Sequence, residues 1–128
     1  MHHHPQVGHK QLNFIHAAER LAWRSPCRQQ HGCVVVSRGK IIGSGHNFYK
    51  GVAFGRQTCH AEEAALRDVG CLKRCPKACI YIVRVKPGSL AYSAPCQRCM
   101  QAISRSGISR LVFSTHDGGY HIERGINN

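Results

Sequence analysis

Between Gln11 and Arg24 the apolar residues Phe14, Ala17, Ala18, Leu21 and Ala22 recur at the spacing of one helix face, and Ser25-Pro26 stops that helix. The pattern then changes period. Cys33 to Ser37 and Lys40 to Gly45 read as two strands of a hairpin that turns at Arg38-Gly39. His60 opens a second helix, Ala61-Glu62-Glu63-Ala64-Ala65-Leu66-Arg67. Ala78 to Lys86 is a β-rich run, Pro87-Gly88 turns the chain, Cys96 to Arg105 is helical, and Ser109 to Ser114 is a further strand. Tyr120 to Ile126 fits either a fifth strand or a short helix. Helices alternating with apolar strands predict an α/β fold, a mixed sheet of about five strands covered by helices.

With 128 residues the chain reads as one domain spanning 1–128, large enough to bury a core and divided by no linker or repeat. Residues 1–9, with three consecutive histidines, read as a flexible start. No run approaches the roughly 20 apolar residues of a membrane-spanning helix, so no membrane partner is expected. Met1-His2-His3-His4-Pro5 has the character of neither a signal peptide nor a transit peptide, which predicts an intracellular, cytoplasmic location. The eight cysteines are accordingly expected as thiols rather than disulfides. Eighteen Lys and Arg against six acids give a net charge of +12, which attracts polyanions such as a phosphate-bearing substrate or a single-stranded nucleic acid. The basic residues are spread from Arg20 to Arg110 without forming one strip, and they serve solubility equally well. Hydride and phosphoryl transfer find no support, because the chain has neither a Gly-x-Gly-x-x-Gly nor a Walker-type Gly-Lys-Ser/Thr.

Chemistry concentrates in two short segments, His60-Ala61-Glu62 and Pro95-Cys96-Gln97-Arg98-Cys99. One imidazole and two thiolates make three metal ligands, and a tetrahedral zinc so held keeps its fourth position for water. Cys96 and Cys99 are three apart, which on a helical turn puts both sulfurs on one face, and Pro95 suits a helix start. The positive end of a helix favours both thiolates. Glu62, two residues after His60, reaches the water without ligating the metal and can carry its protons. Against this stands the plain alternative of a buried histidine and two buried cysteines, or a closed structural zinc site; the carboxylate at that offset and the two helix starts favour the catalytic reading.

Thr58-Cys59-His60-Ala61-Glu62-Glu63-Ala64-Ala65-Leu66 and Ser93-Ala94-Pro95-Cys96-Gln97-Arg98-Cys99-Met100-Gln101-Ala102-Ile103 resemble the two zinc motifs of the cytidine and deoxycytidylate deaminase superfamily. Gly45-His46-Asn47 resembles the family's Gly-x-Asn segment, and Ser109-Arg110-Leu111-Val112-Phe113-Ser114 is similar to the strand after its Cys-x-x-Cys helix. The resemblance implies a cytidine-deaminase-like three-layer fold, one catalytic Zn2+ on His60, Cys96 and Cys99, and Glu62 as the catalytic proton carrier. It implies hydrolytic deamination of cytosine to uracil in a nucleoside or nucleotide such as cytidine or dCMP, as in nucleotide metabolism. Asn47 would contact the sugar and Ala61 would border the substrate, while Phe48, Lys50 and Arg56 in the following loop offer stacking and phosphate contacts, with core packing an equal alternative for the aromatics. A homo-oligomer is expected by the same resemblance. Ala94 stands where transfer-RNA adenosine deaminases have a Glu, a departure from that branch. Two alternatives remain, a polynucleotide deaminase acting on cytosine or adenine in single-stranded DNA or RNA, and an inactive nucleic-acid-binding deaminase fold; an intact Glu62 argues against the second. Some deoxycytidylate deaminases hold a second, structural zinc, for which Cys71, Cys75 and Cys79 could serve, although buried or loop thiols are the reading preferred here.

Overall fold

The computed structural model describes residues 8–51, 57–73, 75 and 77–126. The elements run α1 (His9–Ala22), β1 (Gln30–Ser37), β2 (Lys40–His46), β3 (Phe48–Tyr49), β4 (Thr58–Cys59), α2 (Ala61–Val69), β5 (Cys79–Lys86), β6 (Ser89–Ala91), α3 (Gln97–Arg105), β7 (Arg110–Ser114) and β8 (Tyr120–Arg124). The main sheet has the order β2-β1-β5-β7-β8, with β6 on the far end of β5. β5 and β7 are parallel, as strands joined through the crossover helix α3 must be, and the other pairs are antiparallel. The sheet is thus the mixed one expected.

Alternation along the two central strands sorts the core into two layers. Cys33, Val35, Ile80 and Ile82 face Ala61 and Ala65 of α2 and Ile103 of α3. Val34, Val36, Tyr81, Val83 and Val85 face Ile15, Ala18 and Ala22 of α1. One helix below and two above give the three layers. Glycines set the helix-to-sheet spacing. A Cβ on Gly32 would stand 1.9 Å from the Ala18 carbonyl oxygen, and one on Gly45 would stand 2.6 Å from the Ala64 Cβ. α1 therefore lies directly on β1, and α2 directly on β2.

Several boundaries differ from the sequence reading. α1 begins at His9, inside the stretch expected to be flexible, because the Gly8 N–H donates to the Gln11 side chain at 3.1 Å and caps the first turn. It ends at Ala22, before Ser25-Pro26. β1 starts at Gln30 rather than Cys33, since Gln30, His31 and Gly32 already pair with β5. The hairpin turns at Arg38-Gly39 as read, with φ of 53° and 76°. Of the two options for Tyr120 to Ile126, strand holds for β8, which pairs residue for residue with β7. β3, β4 and β6 have two or three residues each and no periodicity for a sequence reading to detect.

Candidate zinc centre and active site

Two helix starts meet above the carboxyl ends of the parallel strands. His60 is the N-cap of α2, with φ −73° and ψ 154°, and Cys96 is the N-cap of α3, with φ −67° and ψ 167°. Cys99 follows in the first turn of α3, buried against the sheet. Helix N-termini carry partial positive charge, which stabilises thiolates. Arg98 donates to Glu63 across the two helices at 2.8 Å, and Asp68 accepts from the Ser44 N–H of β2 at 2.9 Å. Both acids therefore tie α2 to its neighbours.

The ligand atoms of His60, Cys96 and Cys99 all lie within 4.8 Å of one another. His60 Nδ1 is 3.1 Å from Cys99 Sγ and 4.0 Å from Cys96 Sγ. Zn–S and Zn–N bonds of about 2.3 and 2.0 Å put tetrahedral ligand atoms roughly 3.5–3.8 Å apart, so this donor set fits zinc in both chemistry and spacing. Burial first, and then the negative charge of Glu62, push the Cys99 thiol well above its ordinary range. A divalent cation displaces such a proton. Among the described residues this is the one His/Cys/Asp/Glu group close enough to hold a metal. Cys79 instead packs in the α1 layer and accepts from Arg110 Nε at 3.3 Å, apart from the loop that carries Cys71 and Cys75.

Glu62 is 5% exposed and occupies the first turn of α2, on the helix face that turns inward. Burial raises its carboxyl above the ordinary range, while its own backbone N–H, His60 and the Cys99 thiol draw it partly back. It lines a cavity of about 360 Å³ together with His60, Ala61, Cys96 and Asn47. Cavities of this size take a small ligand. Asn47 also lies in the wall, but its side chain works locally: Oδ1 accepts from the His31 N–H at 2.9 Å and Nδ2 donates to the Gln29 carbonyl at 2.7 Å.

The loop residues divide. Phe48 faces a shallower groove with Arg67 and Asp68, and Tyr49 enters the cavity wall in its place, as side chains alternate along β3. Lys50 is not among the cavity-lining residues; its N–H closes the β3–β4 ladder on the Gln57 carbonyl at 3.0 Å. Arg56 lies outside the described residues. Sequence reasoning missed Cys27, Arg28, Gln29 and His31, which form a wall of the cavity, and no motif marks them. It also missed how the Cys96 loop is held. The Ser93 hydroxyl donates to the Ile82 carbonyl at 2.9 Å and meets the Ser114 hydroxyl at 2.8 Å, and Ser114 in turn donates to Ala91 at 2.6 Å. This buried network anchors the approach to Pro95-Cys96 on β5 and β7.

The model of the cytidine and deoxycytidylate deaminase zinc-binding region matches residues 9–115. Among solved structures, the chain is similar to a cytidine deaminase from Burkholderia pseudomallei, with TM-score 0.68, 21% identity, and coverage of 93% of this chain and 94% of that one. It is similar to a dCMP deaminase from the cyanophage S-TIM5, solved with dCMP and dUMP, with TM-score 0.67, 18% identity, and coverage of 88% and 85%. A tRNA:A34 deaminase, described for A-to-I editing at the wobble position of transfer RNA, is similar with TM-score 0.59, 26% identity, and coverage of 86% and 82%. No curated protein matches the chain by sequence. No described helix is long and apolar enough to cross a membrane. With the match running over most of its length, and with the His60, Cys96 and Cys99 side chains gathered to take a zinc ion, the chain belongs to the zinc-binding cytidine and deoxycytidylate deaminase family.

Proposed function

We propose that this protein hydrolytically deaminates cytosine in a nucleoside or nucleotide, giving the uracil compound and ammonia. The observation that carries the reading is Glu62, a carboxyl buried in the same cavity wall as a zinc-type donor set. A purely structural metal site has no use for such a group. His60, Cys96 and Cys99 would hold zinc, which when bound supplies Lewis-acid activation of water, lowering its pKa towards about 7. Glu62 takes a proton from the attacking water and delivers it to the ring nitrogen beside the amino-bearing carbon. A carbon–oxygen bond forms at that carbon, the carbon–nitrogen bond to the amino group breaks, and Glu62 passes the second proton to the departing ammonia. Its burial, which raises the carboxyl above the ordinary range, suits a group that takes a proton and hands it on. Ala61 and Asn47 border the bound base and sugar, and Asn47 keeps Gln29 and His31 in place.

Cytosine is preferred to a purine because the matched family is the cytidine and deoxycytidylate one and Ala94 replaces the Glu of the transfer-RNA branch. The net charge of +12 favours, as a second reading, cytosine or adenine in a single strand. The test is ammonia release by zinc-loaded protein from cytidine, deoxycytidine, dCMP, adenosine and single-stranded oligonucleotides. Turnover of the monomeric cytosine compounds supports the reading. Turnover of oligonucleotides or adenosine alone overturns it.

A further inference from the structure

We propose that Ser93 and Ser114 are positioning residues for the metal: their paired hydroxyls fix the loop that delivers Cys96, so that zinc affinity depends on two side chains outside the donor set. The inference rests on the zinc site and holds whichever base is deaminated.

The loop needs such a hold. β6 ends at Ala91 and α3 begins at Gln97, so the chain between them has no strand ladder of its own. Pro95 adds no N–H with which to tie it down. Yet Ser93, Ala94 and Cys96 all line the cavity beside His60 and Glu62. The parallel ladder beneath also stops short, since β5 and β7 pair from Cys79↔Arg110 to Ile82↔Phe113. Past that point the two serines take over the bonding. The Ser93 N–H donates to the Ser114 carbonyl at 3.0 Å, and the Ser114 N–H donates to Ser93 Oγ at 2.9 Å. The Ser93 hydroxyl donates to the Ile82 carbonyl of β5 at 2.9 Å. The Ser114 hydroxyl donates to the Ala91 carbonyl of β6 at 2.6 Å and accepts from the Arg84 N–H of β5 at 3.1 Å. With the two oxygens 2.8 Å apart, the loop, β5, β6 and β7 meet on one pair of hydroxyls.

Burial decides what this pair is worth. Ser93 is 3% exposed and Ser114 0%, so water does not replace a bond that is removed. Deleting the Ser93 hydroxyl strips the Ser114 N–H of its partner and loosens the chain three residues before Cys96. Zinc is sensitive to such slack, because its ligand distances hold to about 0.2 Å. Of the two thiol ligands Cys99 is buried and Cys96 exposed, so the place of Cys96 depends more on the loop behind it.

The experiment titrates zinc into the metal-free protein against a competing chelator, for the wild type, Ser93→Ala, Ser114→Ala, their double variant and Ser106→Ala, with each urea midpoint read alongside. Ser106 is the control for a lost hydroxyl, because it bonds the Ala102 and Ile103 carbonyls at 2.9 Å at the other end of α3. The zinc Kd should rise roughly tenfold to a hundredfold in Ser93→Ala and in Ser114→Ala, the usual worth of the shell that supports a metal's ligands. The double variant should bind no more weakly than the weaker single one, as expected of a pair that acts as a unit. Ser106→Ala should keep the wild-type Kd even where its midpoint falls as far. Ser93→Thr keeps the hydroxyl, and its added methyl can face the cavity, so it should bind zinc as the wild type does even if the alanine variants do not fold. A wild-type Kd in Ser93→Ala, an equal rise in Ser106→Ala, or a rise in Ser93→Thr as large as that expected of alanine overturns the role. The readout involves no turnover, so this inference and the deaminase reading fail separately.

Discussion

Glu62 and the candidate ligands His60, Cys96 and Cys99 were legible as one group because the spacings that mark them are short. His-x-Glu and Cys-x-x-Cys are spacings within one helical turn, and a helix start needs only local signals. The rest of the cavity was not legible. Arg28 and His31 come from one motif-free segment and Tyr49 from another, and whether Phe48 or Tyr49 faces inward depends on the register of a two-residue strand. Two outcomes follow at this scale. Glu62→Ala should keep zinc and fold while ammonia release falls by about 10²–10⁴-fold, the usual worth of a positioned proton carrier; a variant with near wild-type turnover would remove Glu62 from its role. Cys99→Ala should leave less than half an equivalent of bound zinc by metal analysis, since two remaining ligands hold zinc poorly. A full equivalent would displace Cys99 from the ligand set.

Helices and long strands could be read because each has a period, whereas β3, β4 and β6 have too few residues to show one. What no period reveals is why certain glycines are required. Gly32 lies under α1, and an added methyl would meet the Ala18 carbonyl oxygen at 1.9 Å and the Ala22 nitrogen at 2.5 Å, both backbone atoms that cannot turn aside. Gly32→Ala should therefore lift α1 from the sheet and cost about 2–4 kcal/mol in chemical denaturation. Zinc content should persist in the folded fraction, because α1 packs on the face opposite α2 and α3. An unchanged denaturation midpoint would refute the close contact.

For the molecule as a whole, alternating helices and strands sufficed to predict a sheet covered by helices, the resemblance added the three layers, and the pairing order β2-β1-β5-β7-β8 needed tertiary contacts. The layer under α1 also carries a titration. Tyr81 packs against Phe14 at 5.5 Å between ring centroids, and burial, reinforced by Cys79, pushes its hydroxyl from the ordinary 10.0 up to about 12. The folded protein keeps a proton that the unfolded chain releases, so this contribution is complete below pH 10 and disappears as pH rises through about 12. Tyr81→Phe should lose less stability than wild type between those two pH values, measured as urea midpoints; parallel curves would contradict the shift.

In the proposed reaction water supplies the oxygen that replaces the amino group while Glu62 moves the protons. The most direct measurement is the mass of the product formed from dCMP and from deoxycytidine in ¹⁸O-labelled water. The expected result is uracil product bearing one ¹⁸O and one ammonia released per turnover with the zinc-loaded wild type, and about 10²–10⁴-fold less of both with Glu62→Ala. Absence of product from both cytosine monomers, or product without the label, would contradict it.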